Sequence, residues 1–296
     1  MASYKLENSE LIIHLNDAGA ELTSIIRKSD QRQYLWDGNP LYWKRHSPIL
    51  FPLVGSLKNQ SYTHEGETYF MSQHGFARDM DFSVEEKTDT SILFSLSSSK
   101  ETLKVYPFVF KLFINYELRG KEIVVSWRVI NNDTNTMYFS IGAHPAFLCP
   151  LTCEEKQTDY FIAFGTKNPI HYIMVNEQGL AQKRPAHEQN IIHTEDGLMP
   201  ITPNLFDNDA LIVENNQCQQ ISLLDTNKTP YVTVYFNAPL FGLWSPAGKN
   251  APFICIEPWY GRCDATDFNG SLKDREWGNV LDAGNIFETD YTIQIH

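Results

Sequence analysis

A large antiparallel β-sandwich, all-β with only a few short helices, is the fold this sequence predicts. Three observations predict it. Apolar residues recur at every second position along most of the chain. Helical periodicity is scarce. Strands do not alternate with long helical segments, as a doubly wound α/β chain would require.

The first strand candidates are SYKLEN (3–8), ELIIHLN (10–16) and AELTSIIRK (20–28). SILFSLSSS (91–99) follows. In FKLFINYELRG (110–120), Phe110, Leu112, Ile114, Tyr116 and Leu118 share one face. Ile123, Val125, Trp127 and Val129 do the same in KEIVVSWRVIN (121–131). RGKE joins the two as a hairpin turn containing Gly120. TMYFSIGA (136–143), QISLLD (220–225), YVTVYFN (231–237) and TDYTIQIH (289–296) complete the set, with a buried strand around Phe253, Ile254 and Ile256. Their β-branched and aromatic content suits strands. Only 99–106 and 201–211 have room for a turn or two of helix. The loop-rich 150–215 region reads as an excursion from the sheets. No repeat, low-complexity linker or domain boundary appears, so residues 1–296 are expected to form one domain.

Composition narrows the function. Hydrophobic residues make up 42% of the 296, enough for a packed core, and the net charge is −12. An acidic surface excludes nucleic acid and anionic membrane as expected partners. No apolar run approaches the ~20 residues of a membrane span, and the N-terminus lacks the pattern of a secretory signal. Five cysteines, an odd count without C-x-x-C, point to a reducing cytoplasm. The sequons at Asn132, Asn227 and Asn269 then carry no meaning. GLWSPAGKN (242–250) is not a phosphate loop: five residues separate its glycines, and Asn250 stands where Ser or Thr is needed. His144, Cys149 and Cys153 lack a fourth ligand and a standard spacing, so neither a metal nor any other cofactor is expected.

Three segments hold residues suited to chemistry. In MSQHGFARDMDF (71–82), His74 and Arg78 flank a tight turn, a pattern for a polyol or phosphate as much as for a solvated hairpin. In SIGAHPAFLCP (140–150), Gly142 and Pro145 stiffen the chain around His144, which reads equally as a satisfied strand-end histidine. In FICIEPWYGRCD (253–264), Glu257 follows an apolar run and is placed at or near the strand's end. Burial should raise its pKa toward that of a base working near neutrality, unless it bonds backbone amides or an arginine such as Arg262. Trp259 either offers a flat face to a sugar ring or belongs to the core. Together, two histidines and a glutamate at Gly- or Pro-stiffened strand ends suit proton transfer between oxygens of a small polar substrate.

HGFARD, GAHPAF and EPWYGRCD resemble the aldose 1-epimerase (galactose mutarotase-like) superfamily, most nearly its LacX-like branch. The segments at 20–43, 47–59, 105–118 and 205–215 fit it in order. The resemblance implies a supersandwich that interconverts the α and β anomers of an aldose without a cofactor. It implies Glu257 as base, His144 as acid protonated near neutrality, and His74 as a substrate ligand near the ring oxygen. Asp209 would hold sugar hydroxyls, with Asp207 two residues away as the alternative. The family's arginine is missing from FPLVGSLKN, which has Ser56 and Lys58 instead, so Arg78 or Arg45 would supply the cation. An Arg78–Lys58 pair would suit a hexose 6-phosphate. The expected partner is a sugar or sugar phosphate, bound by a monomer or homodimer. The competing readings are a sugar-binding module that releases its ligand unchanged and a carbohydrate-active lyase or hydrolase. A Glu257–Asp209 pair makes the last formally open.

Overall fold

The computed structural model describes residues 2–183, 190–194 and 196–296. Two antiparallel sheets dominate them. One runs, edge to edge, through Leu198–Pro200, Phe161–Ala163, Gln220–Leu224, Pro230–Phe236, Ile286–Ile295, Glu122–Asn131, Phe110–Arg119, Ser91–Ser97 and Ser83–Lys87. The other runs through Asn190–Ile192, Ile170–Met174, Leu211–Val213, Leu240–Trp244, Phe253–Tyr260, Ile141–Ala143 and Ile49–Leu50, with Ala146–Leu148 also on Phe253–Tyr260. A four-stranded N-terminal sheet spans Ser3–Glu7 to Arg32–Gln33. One large apolar cluster draws on all three sheets. No helix among the described residues is long and apolar enough to cross a membrane.

Period-two patterning explains most of this. Phe110–Arg119 and Glu122–Asn131 alternate buried and half-buried positions and pair in register from Phe110 opposite Asn131 to Arg119 opposite Glu122. The two-residue loop between them holds Gly120 at positive φ, as a tight hairpin turn requires.

Four expectations are corrected. TMYFSIGA is not one strand: it breaks at buried Ser140, whose amide bonds Pro52. Met137–Phe139 pairs with Asn279–Leu281, and Ile141–Ala143 joins the second large sheet. Residues 201–211 form turns rather than helix, because Leu211 already starts a buried strand; only Thr102–Val105 of the 99–106 stretch is helical. The 150–215 region is not an excursion either. Its described residues supply edge strands to both large sheets, buried on their apolar positions. Residues 184–189 and 195 of that region lie outside the described residues. Lastly, Glu257 sits within the strand Phe253–Tyr260, not at its end.

Buried ion pairs hold the segment after this strand. Arg275 donates to Asp264 at 2.7 Å and to the Arg262 carbonyl at 2.7 Å, and both side chains are buried. The second Asp264 oxygen accepts the Lys58 amide at 2.9 Å. Arg262, buried too, is ion-paired to Glu214 and Glu276. Removing one partner of such a pair strands the other charge in a poorly solvated site. Asp264→Ala should therefore lower stability by about 3–5 kcal/mol in urea unfolding.

Candidate active site

Register brings the site together. Gly142 lies opposite Trp259, and Ala146 lies opposite Cys255. Counting inward from either pair places His144 opposite Glu257, so both side chains leave the same face of the sheet. No ladder pair forms at that point. Pro145 and Pro258 interrupt it from the two sides, since neither has an amide hydrogen to give. On the other flank, Gly242 is opposite Glu257, and Ile212 is opposite Gly242. A transverse row therefore runs Ile212, Gly242, Glu257, His144 across the sheet. Glycine is required at 242, where a Cβ would stand 2.5 Å from the Trp259 ring, and at 142, where it would stand 2.6 Å from that ring.

The row opens into a cleft of about 220 Å³ that His74, Arg78, His144, Asp209, Glu257 and Trp259 all line. A groove on the nine-stranded sheet has no histidine in its lining; this cleft has two beside a buried carboxylate. His144 Nε2 lies 3.2 Å from Glu257 Oε2, but the two are not aligned as a formed hydrogen bond. Both Glu257 oxygens and His144 Nδ1 are buried without a partner. Glu257 is 1% exposed.

That burial decides the protonation. It drives the Glu257 carboxyl well above its ordinary range; nearby Asp209 adds to the rise, and the Trp259 indole opposes it without completing a hydrogen bond. Burial likewise pulls the His144 imidazole down, helped by Arg78 and Arg45. The pair thus holds one proton between two neutral groups, and it titrates as a unit. The expectation of a protonated His144 beside an ionised Glu257 is corrected for the site as it stands: desolvation penalises both charges.

His74 reaches the cleft from a turn with φ +69°, a left-handed conformation uncommon outside glycine. Its amide donates to the Gly55 carbonyl at 2.9 Å, and its Nδ1 accepts the Gly55 amide at 3.1 Å. An accepting Nδ1 leaves the proton on Nε2, so His74 is a neutral donor. Burial lowers its pKa well below the usual value, and His144, Arg78 and Arg45 add to the fall.

Arg78 donates to the Gln73 carbonyl at 2.6 Å and keeps a buried Nε unpartnered. Burial and Arg45 lower it to about 10. Arg45 itself turns away to pair with Asp79 at 2.8 Å. Asp209, held at φ +68°, borders the cleft, whereas Asp207 lines only the wider groove outside it. Lys58 does not reach the cleft. Its ammonium is taken by the Phe268 carbonyl at 2.9 Å and Asn269 Oδ1 at 3.1 Å. Trp259 lines the cleft floor but is 5% exposed and belongs to an apolar cluster, so it is no open platform.

Two tryptophans that sequence reasoning passed over complete the site. Trp43 stacks on His144 at 4.8 Å, and Trp244 meets the same ring edge-on at 5.3 Å. The Trp43 carbonyl accepts the Trp36 indole at 2.8 Å, and Lys249 donates to the Tyr42 carbonyl at 3.0 Å. The clustering of tryptophans at 36 and 43 is the signal that pointed there.

Comparison with known proteins converges on one family. The family model for aldose 1-epimerase matches residues 2–273. The chromosomal protein LacX of Lactococcus lactis is 32% identical over 282 residues, 92% of each chain. A galactose mutarotase related enzyme from Lactobacillus acidophilus superposes with a TM-score of 0.94 at 34% identity, covering 100% of this chain and 97% of that one. A galactose mutarotase-like protein from Lactobacillus casei gives 0.91 at 30% identity, with both chains fully covered.

The protonation has a stability signature. In the unfolded chain an imidazole accepts a proton near pH 6.5, whereas native His74 stays neutral. Acidification below about 6.5 therefore favours the unfolded chain. Between about 4.5 and 6.5 the His144–Glu257 pair holds one proton in both states, because unfolded histidine is charged while unfolded glutamate is ionised. The pair adds no slope in that window. Within the cleft, His74 should make stability fall by up to about 1.4 kcal/mol per pH unit toward acid, and His296, lowered by burial and by Lys121, adds to the same limb. His74→Asn, which tolerates the left-handed backbone, should make that limb shallower in urea unfolding from about pH 5 to 6.5.

Proposed function

The chain belongs to the aldose 1-epimerase family, and we propose from that premise that it is a mutarotase interconverting the α and β anomers of a free hexose. The observation that carries the proposal is the one-proton His144–Glu257 pair, 3.2 Å apart on one cleft wall, beside the neutral donor His74.

Sugar hydroxyls that donate to Glu257 stabilise its ionised form, and the shared proton then moves from Glu257 Oε2 to His144 Nε2. Glu257 takes the proton of the anomeric hydroxyl O1 as His144 gives its proton to the ring oxygen O5. The C1–O5 bond breaks, and an open-chain aldehyde forms. Rotation about C1–C2 presents the other carbonyl face. Reclosure reverses both transfers. The pair ends with the proton count with which it began, so no cofactor or outside base enters. In this reading His74 Nε2–H holds the ring oxygen, and Asp209 accepts from sugar hydroxyls.

The charges favour a neutral sugar over a hexose 6-phosphate. Lys58 is committed elsewhere, and Arg45 and Arg78 share Asp79, which leaves Arg78 as the cleft's cation beside two carboxyl groups of the same lining. The sugar-binding module remains the second reading, since Trp43 and Trp244 provide aromatic surface at the cleft whether or not a proton moves.

Glu257→Gln and His144→Asn should each slow mutarotation by about 10²–10⁴-fold, read by polarimetry or by NMR exchange between anomers. Sugar binding by calorimetry with no anomer exchange in the unaltered protein would establish the module instead. Lys58→Met should leave turnover of free galactose and glucose unchanged. Faster exchange of the 6-phosphates than of the free sugars would overturn the preference for a neutral substrate.

A further inference from the structure

One buried thiol takes no part in this chemistry. Cys255 lies two residues before Glu257 on the strand Phe253–Tyr260 and therefore leaves the same face. It is fully buried, unpaired, and outside the lining of the cleft. A ring nitrogen of His144, the Cys255 sulfur and a Glu257 oxygen all lie within 4.8 Å of one another, and all three residues are buried. Among the described residues, no second group of three such ligand atoms converges in this way. Both Glu257 oxygens lack any hydrogen-bond partner.

We infer that His144, Cys255 and Glu257 form a site for a thiophilic divalent cation of the zinc type. Imidazole, thiolate and carboxylate are the three ligand classes such a cation takes together. Bond lengths of about 2.0–2.3 Å put tetrahedral ligands roughly 3.3–3.8 Å apart. The 3.2 Å between His144 and Glu257 falls just short of that spacing, and the sulfur needs a shift of about an ångström at most. His144 and Glu257 line the cleft, so water from the cleft would fill the fourth position. On binding, Cys255 releases its thiol proton to solvent, and the proton held by His144 and Glu257 leaves as well.

The consequence follows from shared ligands. A cation held by His144 and Glu257 removes the acid and the base at once, so metal occupancy and mutarotation exclude each other. This last step rests on the mutarotase reading; the site itself does not.

The test is titration with Co²⁺, whose thiolate complexes absorb in the near ultraviolet. A Cys153→Ser background removes the exposed cysteine. One equivalent of Co²⁺ should produce a thiolate-to-cobalt charge-transfer band that Zn²⁺ abolishes. Cys255→Ser should eliminate the band. His144→Asn should weaken Co²⁺ binding by no less than the roughly 10–100-fold that loss of an outer-shell partner already costs. Circular dichroism melting of each variant separates loss of ligand from loss of fold. In the same preparations Zn²⁺ should inhibit mutarotation of the unaltered protein and not of Cys255→Ser. Absence of the band, or a band retained in Cys255→Ser, overturns the site. A band in a protein that exchanges no anomers upholds the site and overturns only the catalytic reading.

Discussion

A carboxyl group buried to 1% exposure with neither oxygen hydrogen-bonded is the constraint on which this site depends. An isolated ionised carboxylate would be prohibitively costly there, so the group keeps a proton. An isolated imidazolium would be costly for the same reason, so His144 does not. Facing each other at 3.2 Å, the two settle for one proton between them. The arrangement that burial favours, protonated Glu257 with neutral His144, is also the one the proposed reaction reaches when the ring is open. The charged arrangement needed for ring opening depends on the sugar's own hydroxyls donating to Glu257. In the proposed reaction, substrate thereby supplies the solvation that the fold withholds.

The sheet bears this cost through its local sequence. Two prolines stop the ladder where His144 faces Glu257, and this leaves both side chains free of backbone competition. Gly242 and Gly142 let Trp259 lie flat across the floor of the cleft. Trp43 and Trp244 close on the His144 ring from two directions. Gly55 bonds both the amide and the ring of His74 and so fixes backbone and tautomer together. A left-handed non-glycine residue persists only when its surroundings over-determine it, and this double bond does so.

Alternation of side chains makes the paired strands from Phe110 to Asn131 readable in the sequence. The identities of His74, His144 and Glu257 were readable too, because glycine and proline beside them mark chain that must hold a position. Register was not. Nothing local in SIGAHPAF says that residue 144 stands opposite residue 257, since that depends on pairing across more than a hundred residues. The same limit put Glu257 at a strand end: the proline that follows it reads as a terminator, while the structure uses it as a gap inside the strand. Lys58 looked available because its captors, Phe268 and Asn269, are over two hundred residues away. The edge strands within 150–215 are three to five residues long, too short to show a period.

Charge in the cleft underlies the proposed preference for a neutral sugar. Arg78 is the cation on its wall, lowered to about 10 by burial and by Arg45, and it retains an unpartnered Nε. A desolvated guanidinium with a free donor is a strong directional hydrogen bonder. Asp209 and Glu257 line the same cleft. A phosphate brought here would gain one cation and meet two acidic groups, and its charge would raise Glu257 further and hold it protonated, in the state unable to act as base. A neutral polyol avoids that conflict: its hydroxyls donate to Asp209 and Glu257 and accept from Arg78 and His74, so each unpartnered polar atom gains a partner and Glu257 is eased toward the ionised form. On the proposed reading, the protonation state that starts the chemistry and the preference for an uncharged sugar are therefore two results of the same buried carboxyl group.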